Sequence, residues 1–152
     1  MHIGTLTVRS TSFGATFTAF TVLVCLLVWG QYAVGATHEA SIERDQYGVP
    51  HIYGETDADA AFGLAYAQAE DSWPIMEGSL PFFRGTAGLY EGQEGAQSDY
   101  LVKWLDLWGT LDRDYERVLS HEIRRYVEAF AEGFNAFTRD NPAEVKHPEL
   151  LP

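Results

Sequence analysis

Apolar and polar positions divide the chain into three stretches of different rhythm. From Phe13 to Val34 the sequence is almost unbroken apolar, with no charge between Arg9 and Glu39. Ala40-Ser41-Ile42-Glu43-Arg44 then alternates apolar and polar, the two-residue period of a half-buried strand. Asp45-Gln46-Tyr47-Gly48 supplies turn residues, and Val49-Pro50-His51-Ile52-Tyr53 resumes an extended segment. Pro50 holds Val49 extended and removes one backbone donor, so this second strand is an edge or irregular one.

The rhythm next turns helical. Thr56 with Asp57 and Asp59 marks a helix start, the carboxylates lying near the positive end of the helix dipole. Ala58, Ala61, Phe62, Ala65 and Ala69 recur at helical spacing, and the alanines allow close packing against a neighbour. Pro74 kinks or restarts this helix, with Ser72 as its cap. The glycines Gly78, Gly85, Gly88, Gly92 and Gly95 predict a loop-rich stretch around Pro81-Phe82-Phe83-Arg84-Gly85. Asp99 to Trp108 reads as a short helix with Leu101, Leu105 and Trp108 on one side. The clearest helix runs from Ser120 to Arg139 and ends at Asn141-Pro142. Its apolar stripe is Ile123, Val127, Phe130, Phe134 and Phe137, widened by Tyr126, opposite a face of Glu122, Arg125, Glu128 and Glu132. His147-Pro148-Glu149-Leu150-Leu151-Pro152 adds no terminal element, which suggests a truncated chain.

The apolar run changes meaning once charge is counted. Every one of the 22 Asp and Glu follows residue 36, and of the ten Lys and Arg only Arg9 precedes it. Nine cations against 22 carboxylates leave residues 37–152 at −13, a charge that repels phosphate backbones and excludes nucleic acid as a partner. A lone cation before the run and Val34-Gly35-Ala36 after it form a signal-peptide pattern over residues 1–36, with Thr37 as the new N-terminus. The run also has the roughly 20 apolar residues of an uncleaved anchor, in which case the chain meets a membrane. Val24 is too bulky to precede a lipidated Cys25, and nothing polar marks the run as a surface helix of the fold. Export, to a periplasm or the exterior, is the expectation. Cys25 is the only cysteine, so residues 37–152 hold no disulfide, cysteine zinc site or thiol nucleophile.

Local chemistry is sparse. No serine sits in Gly-x-Ser-x-Gly; Ser79 follows Gly78 but lacks the second glycine. His2, His38, His51, His121 and His147 include no pair at metal-ligand spacing. Asp57-Ala58-Asp59 opens like a calcium loop, but no further ligand or glycine follows on schedule, and helix-start carboxylates explain both residues. No glycine pattern fits a phosphate cradle. Glu70 and Asp71 are adjacent on a helix and diverge by about 100°, so they do not converge as an acid–base pair. A structural role, with Asp71 reaching a backbone group or an arginine of a nearby segment, is favoured. An N-terminal Thr37 could act as its own base–nucleophile pair, but His38-Glu39 show no sign of a buried, fixed site.

Ile42-Glu43-Arg44-Asp45-Gln46-Tyr47-Gly48-Val49-Pro50-His51-Ile52 resembles the opening signature of the penicillin acylase family. Ala61-Phe62-Gly63-Leu64-Ala65-Tyr66-Ala67-Gln68-Ala69-Glu70-Asp71 is similar to its second block; Met76-Glu77, Arg84-Gly85 and Asp99-Tyr100 follow in order, and Ala129-Phe130-Ala131-Glu132-Gly133-Phe134-Asn135-Ala136 resembles its Ala-x-Gly-x-Asn helix. The match runs from Ala40 to Pro142, and Ala-Glu-Asp with Trp73 leans toward the acyl-homoserine-lactone acylase side. The resemblance implies an N-terminal-nucleophile hydrolase with a four-layer αββα core, exported as an inactive precursor that cuts itself into α and β chains. The β chain's new N-terminal serine then attacks the amide carbonyl with its own α-amine as base. That serine, the oxyanion donors, the calcium ligands and most of the acyl pocket lie beyond Pro152, so no catalytic, cofactor-binding or metal-binding residue is assigned in this chain.

The expected class is therefore α+β: an incomplete N-terminal α-chain portion over residues 37–152, mostly helical with a short N-terminal strand pair. Its partners are the β chain of the same precursor and a small acyl amide, of the β-lactam or acyl-homoserine-lactone kind. A non-catalytic exported binding or subunit protein of the same fold is the alternative, and a membrane-tethered helical interaction protein a third reading.

Overall fold

The computed structural model describes residues 5–9 and 38–151. The apolar run, Cys25, the cleavage point after Ala36, Thr37 and His2 lie outside the described residues. Three strands, β1 (Thr5–Arg9), β2 (Glu39–Arg44) and β3 (Pro50–Gly54), form an antiparallel sheet in that order. The expected strand pair is thus a three-stranded sheet. Its additional strand comes from within residues 1–36, more than thirty residues before its partner, where local pattern carries no information about pairing.

β2 places Ala40 and Ile42 on one face, where they are buried with Val8 of β1. The turn into β3 is set by Asp45, whose Oδ1 accepts from the backbone N–H groups of Tyr47 (2.8 Å) and Val49 (3.0 Å). Gly48 closes it at φ +83°, a left-handed conformation that glycine adopts without a Cβ penalty.

Helix α1 (Asp57–Arg84) begins in a reciprocal capping box: Thr56 Oγ1 accepts from the Asp59 N–H, and Asp59 Oδ2 accepts from the Thr56 N–H. Ser72 leaves helical geometry (φ −144°, ψ 19°) two residues before Pro74, which lacks the N–H needed to continue the ladder. The expected break is there, although the helix resumes at once. It then continues through Pro81 to Gly85, a left-handed C-cap at φ +65°.

The prediction of a loop-rich stretch around Pro81–Gly85 is wrong: α1 runs through it to Arg84, and α2 (Gly88–Glu91) and α3 (Gln93–Trp104) follow. A Cβ on Gly95 would lie 2.4 Å from the Ala87 backbone, and one on Gly88 3.3 Å from Ala96. These glycines permit helices to cross closely; they do not mark loops. The helix expected over Asp99 to Trp108 is also broken. α3 ends at Trp104, Asp106 takes a left-handed conformation (φ 48°), and α4 (Leu107–Val118) begins anew.

α5 (His121–Asp140) is capped by Ser120, whose Oγ accepts from the Ile123 N–H, and ends at Asn141. Its buried line is Ala129, Gly133, Ala136 and Phe137, not the full aromatic stripe; Ile123 and Val127 are exposed. The reason is close packing on α1: a Cβ at Gly133 would sit 2.2 Å from the Phe62 carbonyl oxygen. Small residues bring the two helix backbones together and push the larger side chains to the flanks. α1 meets the sheet the same way, since a Cβ on Gly63 would be 2.6 Å from the Ala40 Cβ. One core results, joining Val8, Ala40 and Ile42 to Phe62, Tyr66, Trp73 and Phe137.

Candidate functional site

The densest polar cluster joins the β2–β3 turn to α1. Arg44, the last residue of β2, donates from Nη1 to the Gly48 carbonyl (2.9 Å), tying off the turn. Its Nη2 lies 3.0 Å from Glu70 Oε2 and 2.9 Å from Asp71 Oδ1. Two carboxylates that diverge on a helix can both face a planar guanidinium reaching across them. The structural reading of Glu70 and Asp71, with an arginine from a nearby segment as partner, is what the geometry shows. Partial burial alone would lower the Arg44 pKa, but hydrogen bonds to Glu70 and Asp71 outweigh it and hold the value above the ordinary one. The backbone donors of Val49 and Tyr47 hold Asp45 below the usual carboxylate range. Arg44, Asp45, Gly48, Glu70 and Asp71 thus form one clamp that fixes a hairpin on a helix.

The remaining sequence candidates are dispersed. Ser79 Oγ donates to the Ile75 carbonyl one turn back, an ordinary helical contact (2.8 Å). His51 faces Asp45 at 3.6 Å and His147 faces Glu149 at 3.2 Å, both pairs largely exposed. His38 Nδ1 lies 3.0 Å from Asp59 Oδ1 in a half-sheltered position, with its ring stacked on Phe62. Burial would raise the Asp59 pKa, but hydrogen bonds from Thr56 and His38 and from the Glu39 and Thr56 backbone keep it below its ordinary value. Asp57 accepts from the Tyr126 hydroxyl at 3.2 Å, so the two helix-start carboxylates serve different partners. Among the described residues no group of three or more His, Cys, Asp or Glu is arranged to hold a metal ion. Among those residues, too, no helix is long and apolar enough to cross a membrane.

Two organising carboxylates escaped the sequence reading, although both sit in the family-like blocks. Glu77 is almost fully buried (2% exposed), and its Oε1 accepts from the backbone N–H groups of Lys146 (2.8 Å) and His147 (2.7 Å). The segment after α5 is thereby pinned to the middle of α1. Ala69, Trp73, Glu77 and Pro81 are all buried at four-residue spacing, so an acid on the apolar stripe was the available signal. Asp99 accepts from the Ala87 and Gly88 N–H groups (2.7 and 2.9 Å), binding α3 to the start of α2.

Known proteins share this framework. Residues 39–152 match the penicillin amidase family. Over 103 residues the chain is 33% identical to penicillin acylase 2 proenzyme of Pseudomonas sp., covering 68% of this chain and 13% of that protein. It is 29% identical to the acyl-homoserine lactone acylase PvdQ of Pseudomonas syringae pv. tomato (63% and 13% covered). It is 28% identical to aculeacin-A acylase of Actinoplanes utahensis (80% and 17%). The fold aligns with a thermostable penicillin G acylase from Alcaligenes faecalis at TM-score 0.60 and 28% identity, covering 74% of this chain and 58% of that one. The chain spans less than a fifth of the length of these curated relatives. With the signature clamp and the fold in agreement, the chain belongs to the penicillin amidase family.

Proposed function

We propose that this chain is the scaffold portion of an exported precursor that, after cutting itself, hydrolyses linear amides carrying apolar acyl groups. The carrying observation is the Arg44 clamp, which joins the two most distinctive family-like blocks into one rigid unit on which a sheet can be built. The acylase names of the relatives support acyl-amide hydrolysis in general and do not separate β-lactam from acyl-homoserine-lactone substrates. Residues 1–36 act as the leader, and the nucleophilic serine and its β chain come from polypeptide after Pro152. On this reading the family's calcium is held by residues of the polypeptide after Pro152.

Exposed apolar surface supports the scaffold role. An apolar groove of about 340 Å³ is lined by Trp73, Met76, Leu80, Phe83, Phe134 and Leu151. Tyr100, Trp104, Trp108 and Leu111 on α3 and α4 are also exposed. On this reading these exposed apolar residues are covered by further chain.

The test is expression of the full-length gene with export intact, followed by mass spectrometry of the chains and assay against acyl-homoserine lactones and phenylacetyl or aliphatic acyl amides. Two chains and acid release are expected, and Arg44→Met should abolish processing. An intact, correctly folded full-length product that hydrolyses none of these amides would favour a non-catalytic binding protein instead.

A further inference from the structure

We propose that the groove between α1, α5 and the segment after α5 binds a linear alkyl carboxylate, with the chain laid along α1 and the carboxylate at Arg84. The ligand class rests on the proposed amide hydrolysis, in which water adds across the C–N bond and releases an acid of this kind together with the amine.

The groove follows one face of α1. Trp73, Met76, Leu80 and Phe83 recur along it at three- and four-residue spacing, and Phe134 of α5 with Leu151 supplies the facing wall. Its volume of about 340 Å³ falls in the range of small-molecule sites. Trp73 belongs to the main core, with Met76, Phe134 and Leu151 packed against it, so the floor is fixed by the fold. Ile75 and Phe83 stand exposed at the rim, where further chain roofs the groove without filling it. Ser79 and Thr138, which also line it, donate their hydroxyl protons to the Ile75 and Asn135 carbonyls, so neither offers that proton to a ligand. From Trp73 to Arg84 the helix rises about 16 Å, about the extended length of a twelve-carbon chain.

Charge selects the head group. In a chain of net charge −12, Arg44, Arg113, Arg117, Arg124 and Arg139 each face a carboxylate. Arg84 lines the apolar groove and pairs with no carboxylate among the described residues. Glu149 stands in the same neighbourhood, but it accepts from the Tyr90 hydroxyl (3.3 Å) and lies 3.2 Å from His147 Nδ1. An exposed guanidinium at the end of an apolar channel matches a carboxylate carried on an alkyl chain, and a cationic or neutral head gains nothing there.

The test uses the full-length protein, exported and processed, with a dodecanoate analogue carrying a photoactivatable diazirine in its chain. Mass spectrometry locates the labelled peptides. Saturable labelling of the peptides holding Leu80 and Phe134 is expected, competed by dodecanoate but not by dodecyltrimethylammonium. Arg84→Gln should raise the probe concentration for half-labelling about tenfold, and Arg84→Lys should recover most of that loss. Leu80→Trp fills the groove and should abolish labelling of these peptides; if it yields no protein, the two variants of exposed Arg84 carry the comparison. Absence of saturable labelling at these peptides, or equal half-labelling of wild type and Arg84→Gln, overturns the site even where acyl amides are hydrolysed. Labelling with the stated charge preference in a protein that hydrolyses no acyl amide upholds the site and overturns only the hydrolase reading.

Discussion

Glu77 offers a quantitative test of how the segment after α5 is held. Its carboxylate is 2% exposed and accepts two short hydrogen bonds from the consecutive amides of Lys146 and His147. Burying a carboxylate costs several kcal/mol, and bonds to a charged acceptor, worth about 1.5–3 kcal/mol each, offset that. Glu77→Leu removes both the desolvation cost and the bonds, but it leaves two N–H groups in an apolar setting at about 1–3 kcal/mol each. The expected loss is about 2–5 kcal/mol. Glu77→Gln keeps an acceptor oxygen at lower strength and should lose about 1–2 kcal/mol. Urea denaturation of the full-length precursor measures the global effect, and hydrogen exchange at Lys146 and His147 measures the local one. A leucine variant within about 0.5 kcal/mol of wild type, or with unchanged exchange at those two amides, would refute the clamp.

Other positions give sharp expectations. Gly133→Ala must force α5 off the Phe62 carbonyl and should cost about 1–3 kcal/mol by the same denaturation assay, whereas alanine at exposed Gly78, where a Cβ meets nothing, should be tolerated. Asp45 is held below its ordinary value of 3.8, so the stability it contributes is present above that pH and is lost as pH falls through the lower folded value. The melting-temperature gap between wild type and Asp45→Asn should therefore be widest near neutrality and close on acidification below pH 3.8. Tyr126 donates its one hydroxyl proton to Glu122 at 2.6 Å with the Asp57 carboxylate 3.2 Å away, and the two negative charges push it up to about 12. Ultraviolet titration of Tyr126→Phe should lose an ionisation near pH 12 and none near pH 10. Residues 37–152 expressed alone should be poorly soluble or molten, and a sharp cooperative melt would count against the scaffold reading.

What was legible in the sequence was what is decided locally. The Asp45 turn, the Thr56 helix start, the onset of the last helix at Ser120 and the break before Pro74 each depend on residues within a few positions of one another. The Arg44 pairing was half legible: adjacent carboxylates that cannot share a substrate atom imply a partner, but not which one. The misread stretch from Gly78 to Gly95 shows the limit of composition. Glycine is required both where a chain turns and where helices touch, and only the fold distinguishes Gly85, a left-handed cap, from Gly95, pressed against the Ala87 backbone. The same ambiguity placed Ala129, Gly133 and Ala136 beside Phe137 on the buried face of α5, in place of the rest of the expected stripe. β1 was hidden for a different reason, because strand pairing across some thirty residues leaves no periodic trace.

The apolar surface left open is distributed in a way that bears on folding order. The sheet, α1 and the C-terminal half of α5 share a closed core, whereas no residue of α4 is buried and Trp104 and Trp108 stand exposed. The close approach of α1 to the sheet at Gly63, the helix crossing at Gly133 and the Arg44 clamp need only residues within this chain. On the proposed scaffold reading this core is the first part to organise but does not stand as a cooperative unit by itself, and α3 and α4 remain as the surface onto which later segments pack. The division also separates the effects of substitution. Changes in the closed core should block folding of the whole precursor, whereas polar replacement of Trp104 or Leu111 should leave the core intact and weaken only its association with the remainder.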